Sequence, residues 1–247
     1  MTSSARPIAL ITGGAHRIGA EIACTLHRNG LDIALHYRSS REAAEELKRE
    51  LEQQRPDSVF LVQGDLCQLT ELEEVAKQVR GWRMRLDLLV NNASLFYPTP
   101  LEQVSEQQWE ELMGTNLKAP FFLSRTLAPL LREQQGAIIN LVDIHAERPL
   151  AGHPVYSMAK AGNAMMVKSL ARELGPEIRV NGVAPGAILW PEQGLSEAAR
   201  QEIVSRTQLG RSGTPADIAS TVRFLALEAP YITGQIISVD GGRSVQQ

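Results

Sequence analysis

Tyr156 and Lys160 stand four residues apart in Tyr156-Ser157-Met158-Ala159-Lys160, a spacing that puts both on one face of a helix. An ammonium beside a phenol favours the phenolate, so the pair is expected to make Tyr156 a proton donor and acceptor near neutral pH. Taken alone, the same spacing also describes an exposed surface pair. A second run, Thr12-Gly13-Gly14-Ala15-His16-Arg17-Ile18-Gly19, follows an apolar strand pattern and opens a helical one. Glycines there let the backbone turn sharply and approach a pyrophosphate at the positive end of the helix. The second strand ends in His36-Tyr37-Arg38-Ser39-Ser40-Arg41, with no carboxylate to grip a ribose 2′-hydroxyl. Two guanidiniums and two hydroxyls suit a 2′-phosphate instead, so NADPH/NADP is expected rather than NAD(H). Arg38, Ser39 and Ser40 are taken as a group; a solvated basic helix start is the alternative.

These groups need a scaffold, and apolar β-rich runs alternate with helical patterns along the whole chain. Strands are expected at 8–12, 32–37, 59–63, 86–91, 137–142, 179–183 and 236–239, and helices at 18–29, 42–53 and 72–80 among others. Several strand runs are apolar on both faces, as parallel strands covered by helices on both sides require. Ser105 with Gln108, and Thr70 with Glu73, have capping-box spacing, and Thr214-Pro215 places an N-cap before a first-turn proline. The expected fold is α/β: a single-domain, Rossmann-type doubly wound parallel sheet flanked by helices, covering 1–247 with a core at about 6–243. The least regular stretch, 186–214, carries Pro191 and is expected to form a flap over a ligand, with Trp190 as a pocket wall.

Composition narrows the function classes. Lys plus Arg is 25 and Asp plus Glu is 28, a formal charge of −3, which lacks the basic excess of a nucleic-acid binder. No window of 18 apolar residues spans a membrane, and the first residues lack a signal-peptide pattern, so the reading is cytoplasmic. Cys24 and Cys67 form no paired motif and are expected to be reduced packing residues. His16, His27, His36, His145 and His153 show no metal-ligand spacing, so no metal is expected; His145 and His153 read as exposed loop residues near the active-site mouth.

Other motifs join these. Asn91-Asn92-Ala93 follows the fourth strand, Asn116 sits in the next helix, and Pro185-Gly186 follows the sixth strand. With the glycine turn and the Tyr156/Lys160 pair, they make the chain resemble the short-chain dehydrogenase/reductase family over about 6–243. Three positions depart from the general family pattern. Arg17 stands where most members have the middle glycine, Ser94 where glycine is usual, and Asp143, 13 residues before Tyr156, where the catalytic serine is usual. Together these features resemble the pteridine reductase subfamily, as do Leu35-His36-Tyr37, Tyr231-Ile232-Thr233-Gly234 and Asp240-Gly241-Gly242.

The resemblance implies Asn116, Asp143, Tyr156 and Lys160 as catalytic residues. It implies cofactor contacts at Gly13, His16, Arg17, Ile18, Gly19, Arg38, Ser39, Ser40, Asp65, Leu66, Asn92, Ala93, Ser94, Lys160, Pro185 and Gly186. A pterin substrate would meet Arg17, Ser94, Phe96, Tyr156 and Trp190, with Phe96 stacking on one face of the ring and the nicotinamide on the other. It also implies a homotetramer built through the helices at 119–133 and 155–174 and the C-terminal strand region. The implied activity is NADPH-dependent reduction of a dihydropterin, with oxidised pterin and dihydrofolate as further candidate acceptors. The alternatives are a reductase of a carbonyl substrate such as a 3-oxoacyl thioester, and an NADP(H)-binding regulator without turnover.

Overall fold

A computed structural model describes residues 6–188 and 196–245. Seven strands form one sheet: β1 (Ile8–Ile11), β2 (Asp32–Tyr37), β3 (Val59–Gln63), β4 (Leu88–Asn91), β5 (Ala137–Leu141), β6 (Arg179–Pro185) and β7 (Ile236–Val239). Their order is β3-β2-β1-β4-β5-β6-β7 and every neighbouring pair is parallel. All residues of β1, β2, β4 and β5 are buried, which is why those runs are apolar on both faces. The helices are α1 (Arg17–Arg28), α2 (Arg41–Gln54), α3 (Leu69–Arg83), α4 (Glu106–Met113), α5 (Ala119–Glu133), α6 (Pro154–Leu174), α7 (Glu197–Ser205) and α8 (Pro215–Leu227). One core layer packs residues of α3, α5 and α6 against the sheet, and the other packs α1, α2 and α8 against the opposite face. This is the single-domain, doubly wound architecture expected. The strand order reverses between β1 and β4, so a crevice for a ligand opens beyond their carboxyl ends.

Differences from the expected elements have local causes. β4 begins at Leu88 rather than 86, because the Asp87 carboxylate accepts a hydrogen bond from the Ile8 amide (2.8 Å). β6 runs on to Pro185, paired with Val239 of β7. Thr70 does not cap a helix: α3 already starts at Leu69, with Gln68 before it. The Asp65 turn sets that earlier start, since Asp65 accepts from the amides of Cys67 (through Oδ1, 3.0 Å) and Gln68 (through its backbone oxygen, 3.0 Å). The capping boxes at Ser105 with Gln108 and at Thr214 with Asp217 are both formed. Within 186–214, α7 is a regular helix, and the Gly213 amide donates to Ala187 O (2.9 Å), closing the base of the excursion. Both cysteines are unpaired. Among the described residues no helix is long and apolar enough to cross a membrane, and no cluster of metal-ligating side chains occurs.

Candidate active site

The glycine turn leaves β1 and is tied to β4 across the crevice. Thr12 Oγ1 accepts from the amides of Asn92 and Ala93 (both 3.0 Å), and Asn92 Nδ2 donates to Thr12 O (2.9 Å) and Gly13 O (3.0 Å). Gly19 is required by contact: a Cβ there would lie 2.3 Å from Gly13 O. Arg17, in place of the middle glycine, keeps the left-handed backbone that glycine would supply, with φ +54°. A non-glycine side chain in this conformation costs roughly 1–2 kcal/mol. His16, at the N-cap of α1, makes no side-chain cap bond, so the helix presents its positive end to the turn.

His36 locks the turn to the rest of the crevice. Its Nδ1 accepts from the Gly13 amide (3.1 Å), which places the ring proton on Nε2, and Nε2 donates to Gly64 O (3.0 Å). Burial pushes the His36 pKa down to about 4, consistent with this neutral tautomer. The sequence reading did not assign His36 to the site; its signal was a histidine in an otherwise apolar strand.

Arg38 and Ser39 are exposed at the carboxyl end of β2, and Ser40 is the N-cap of α2 without a side-chain cap bond. Arg17 and Arg38 enter no ion pair among the described residues, whereas Arg41 is held by Glu45 at 2.8 Å. Asp65 lies half-buried in the β3–α3 turn and Leu66 is buried in the core beside it. An open helix end, unpaired guanidiniums and no carboxylate after β2 fit the phosphates of a dinucleotide.

The catalytic candidates converge at the ends of β4 and β5. Tyr156 Oη donates to Asp143 Oδ2 at 2.7 Å, while Asp143 Oδ1 accepts from the His145 amide (2.8 Å). Asp143 therefore both caps the short 3₁₀ turn Ile144–Ala146 and holds the phenol. Ser94 lies between two partners: its hydroxyl donates to Asn116 Oδ1 (2.6 Å) and also contacts the Tyr156 phenol. Lys160 is 3% exposed, donates to Leu141 O (2.9 Å), and sits 5.7 Å from the centre of the Tyr156 ring.

The expectation of a phenolate-favouring pair needs correction. Burial, then the charge and hydrogen bond of Asp143, hold the Tyr156 pKa well above 10, against the opposing contact from Ser94. Burial pushes the Lys160 pKa down to about 8, with Asp143 opposing. Tyr156 is thus a held proton donor, and Asp143 rather than Lys160 takes its hydrogen bond.

Asn116 is in a π-helical turn, Gly114–Lys118, between α4 and α5, not in a regular helix. Its side-chain amide donates to Leu95 O and Leu112 O (both 3.0 Å). Its backbone oxygen accepts from Asn163 Nδ2 (2.8 Å), Asn163 Oδ1 accepts from Asn140 Nδ2 (3.0 Å), and Asn140 Oδ1 accepts from Asn91 Nδ2 (2.8 Å). This buried chain of amides fixes the π turn to β4, β5 and α6. Asn140 and Asn163 were missed from sequence because their partners are distant in the chain; a polar residue inside each apolar pattern was the available signal.

Phe96 is 50% exposed at the mouth of the crevice. It stacks on His153 (centroids 4.7 Å apart, 9° between planes) and meets Tyr156 edge-on at 4.9 Å. His153 is therefore half-buried against the site and not a freely exposed loop residue; His145 is also half-buried. Pro185 ends β6 and Gly186 abuts Asp240, where a Cβ on Gly186 would lie 2.6 Å from Asp240 Cβ. Trp190 lies outside the described residues.

A dinucleotide-type crevice with a buried Tyr/Lys pair, an asparagine and an acidic partner defines an oxidoreductase of the nicotinamide-dependent, doubly wound class. The chain belongs to the short-chain dehydrogenase/reductase family: a family profile described as enoyl-(acyl carrier protein) reductase matches residues 13–244. It is 38% identical to a 3-oxoacyl-[acyl-carrier-protein] reductase of Staphylococcus aureus, over 95% of this chain and 96% of that one. The corresponding Staphylococcus epidermidis protein is 37% identical, over 95% and 97%. Pteridine reductase 1 of Leishmania tarentolae is 34% identical, over 99% of this chain and 98% of that one.

Proposed function

We propose that the chain is an NADPH-dependent reductase that reduces a ring C=N bond of a dihydropterin. The observation that carries this reading is the 2.7 Å hydrogen bond from Tyr156 to the Asp143 carboxylate, at the position where the family resemblance puts a serine. A serine hydroxyl can donate to a carbonyl oxygen, whereas an ionised carboxylate only accepts. A carboxylate opposes the oxyanion that develops when a ketone is reduced, and suits a substrate whose edge carries N–H donors. The half-exposed Phe96 ring at the mouth suits a flat aromatic substrate.

When bound, NADPH supplies the hydride. The residues that would hold it are Gly13, His16, Arg17, Ile18 and Gly19 at the pyrophosphate, and Arg38, Ser39 and Ser40 at the 2′-phosphate. Asp65 and Leu66 would flank the adenine, and Asn92, Ala93, Ser94, Lys160, Pro185 and Gly186 the ribose and nicotinamide side. Tyr156 gives its O–H proton to the ring nitrogen, so the C=N bond gains one hydride and one proton. Asp143 orients the phenol, Lys160 holds positive charge beneath it, and Asn116 fixes Ser94.

The second reading, a reductase of a 3-oxoacyl thioester, is favoured by the relatives at 37–38% identity over the pteridine reductase at 34%. NADPH oxidation measured with dihydrobiopterin, with a 3-oxoacyl thioester and with neither separates the readings. Dihydropterin turnover is expected, with Tyr156→Phe retaining NADPH binding but losing about 10²–10⁴-fold in kcat. Asp143→Ser is expected to lose dihydropterin reduction while still binding NADPH; undiminished turnover by that variant would make the aspartate incidental. We also propose a homotetramer, supported by Phe121 on α5 (41% exposed) and Met158 and Met165 on α6 (47% and 60%). A monomer mass by light scattering at micromolar concentration would reject it.

A further inference from the structure

We propose that Glu111, on α4, sets how strongly the cofactor's 2′-phosphate is selected: it offers Arg38 a carboxylate in competition with the phosphate, and the same carboxylate holds the Phe96 loop through Tyr97. This rests on the NADPH reading of the crevice, and not on which substrate is reduced.

The fold brings α4 over the carboxyl ends of β2 and β3. Gln63, the last residue of β3, donates from its side-chain amide to Arg38 O (3.1 Å), so Arg38 leaves β2 beside the β3–α3 turn. In that turn Cys67 Sγ lies 3.0 Å from Thr115 Oγ1, and a Cβ on Gly114 would meet Cys67 Sγ at 3.3 Å. Glu111 precedes Thr115 by four residues, so it shares the face of α4 and its π-helical continuation that looks onto this turn. The charge of the exposed Arg38 reaches both places. Burial pushes the Cys67 thiol up, and the Thr115 bond and the Arg38 charge oppose it. Hydrogen bonds from Gln107 and Tyr97, helped by the Arg38 charge, hold Glu111 below the usual carboxylate range.

Both oxygens of Glu111 are already engaged. Oε1 accepts from Gln107 Nε2 and Oε2 from Tyr97 Oη, each at 2.9 Å. Tyr97 follows Phe96 in the chain and packs into a small cluster with Leu112, Val155 and Tyr156. Burial, then the hydrogen bond and charge of Glu111, push the Tyr97 pKa to about 12, so it stays a neutral donor. The Thr99 amide donates to Gly152 O (2.7 Å) and pins the far end of the loop to the turn before α6. The Tyr97 bond ties the near end to α4, beside the half-exposed Phe96 ring.

Two demands therefore meet on one carboxylate. A guanidinium and a phosphate form a forked, charge-assisted pair. A carboxylate facing the same guanidinium is a rival partner for Arg38 and a like charge for the phosphate. Cofactor affinity alone would favour a neutral residue at this helix position; the bond to Tyr97 accounts for the acid. Arg38 is exposed, so salt screens the competition and its effect on affinity is about a few-fold.

Three variants separate the two roles. Glu111→Gln removes the charge and keeps an oxygen for Tyr97, Glu111→Ala removes both, and Tyr97→Phe removes the hydroxyl and keeps the charge. Each is titrated by calorimetry with 2′,5′-ADP and with 5′-ADP, then assayed with NADPH and whichever acceptor the wild-type protein reduces. Both Glu111 variants should bind 2′,5′-ADP about threefold more tightly than wild type, with 5′-ADP unchanged, and the gain should vanish in about 1 M salt. Tyr97→Phe should bind both nucleotides as wild type does. Acceptor KM should rise about fivefold in Tyr97→Phe and Glu111→Ala, more than kcat falls, and Glu111→Gln should restore it. Unchanged or weakened 2′,5′-ADP binding by Glu111→Gln, or a wild-type KM in Tyr97→Phe, would overturn the proposal. Wild-type protein that binds 2′,5′-ADP no more tightly than 5′-ADP would refute the NADPH reading itself.

Discussion

Replacing Lys160 by methionine should remove activity and, at neutral pH, make the ligand-free protein more stable. The side chain is 3% exposed and burial pushes its pKa from 10.5 to about 8. That gap of about 2.5 units, at about 1.36 kcal/mol each, means that carrying the charge in the folded state costs roughly 3 kcal/mol. Methionine avoids this cost but abandons the bond to Leu141 O, and an unsatisfied buried carbonyl costs about 1–3 kcal/mol. The net expectation at neutral pH is a gain of roughly 1 kcal/mol. The pH dependence is the sharper signature. The folded pKa lies below the unfolded one, so between about 8 and 10.5 the unfolded chain holds a proton that the folded chain has released. Wild-type stability therefore rises with pH across that window, and the Lys160→Met variant lacks the rise. Tyr156, with its pKa raised above 10, acts in the opposite sense only at higher pH, so the comparison is made between pH 8 and pH 10. Over that interval wild type should gain roughly 2 kcal/mol on the variant in urea denaturation of the ligand-free proteins. A difference that stays constant from pH 8 to pH 10 would refute the reasoning.

Arg38→Ala should reduce the preference for NADPH over NADH about tenfold, roughly 1.4 kcal/mol, while Arg41→Ala, whose guanidinium is already held by Glu45, should change the kcat/KM ratio much less. Arg17→Gly should relieve the left-handed strain and raise the unfolding free energy measured in urea by about 0.5–1 kcal/mol, while raising KM for the substrate. His36→Phe removes the acceptor of the Gly13 amide and should weaken NADPH binding about tenfold by titration. Because the folded His36 pKa is lowered to about 4, its neutral form stabilises the fold above pH 6.5 and wild type should lose roughly 3 kcal/mol as pH falls from 6.5 toward 4, a loss that the phenylalanine variant lacks.

Local patterns in the sequence determined the elements and much of the site. Strands apolar on both faces, alternating with amphipathic helices, require a parallel sheet covered on two sides, and the glycine turn after the first strand marks the crevice. The i, i+4 spacing of Tyr156 and Lys160 put them on one face of α6 because that relation is internal to a helix. Element ends shifted where a distant or turn-forming partner intervened, as Asp87 and Asp65 did at β4 and α3. The protonation chemistry belonged to the tertiary structure. Spacing suggested that Lys160 lowers the Tyr156 pKa, but burial and Asp143, 13 residues away in the chain, push it up. The amide chain through Asn91, Asn140, Asn163 and Asn116, the His36 lock on Gly13, and the stacking of Phe96 on His153 join residues 23 to 57 positions apart in sequence. Sequence periodicity reports which face a residue occupies; desolvation and charge depend on what the other elements bring to that face, and only the folded chain decides that.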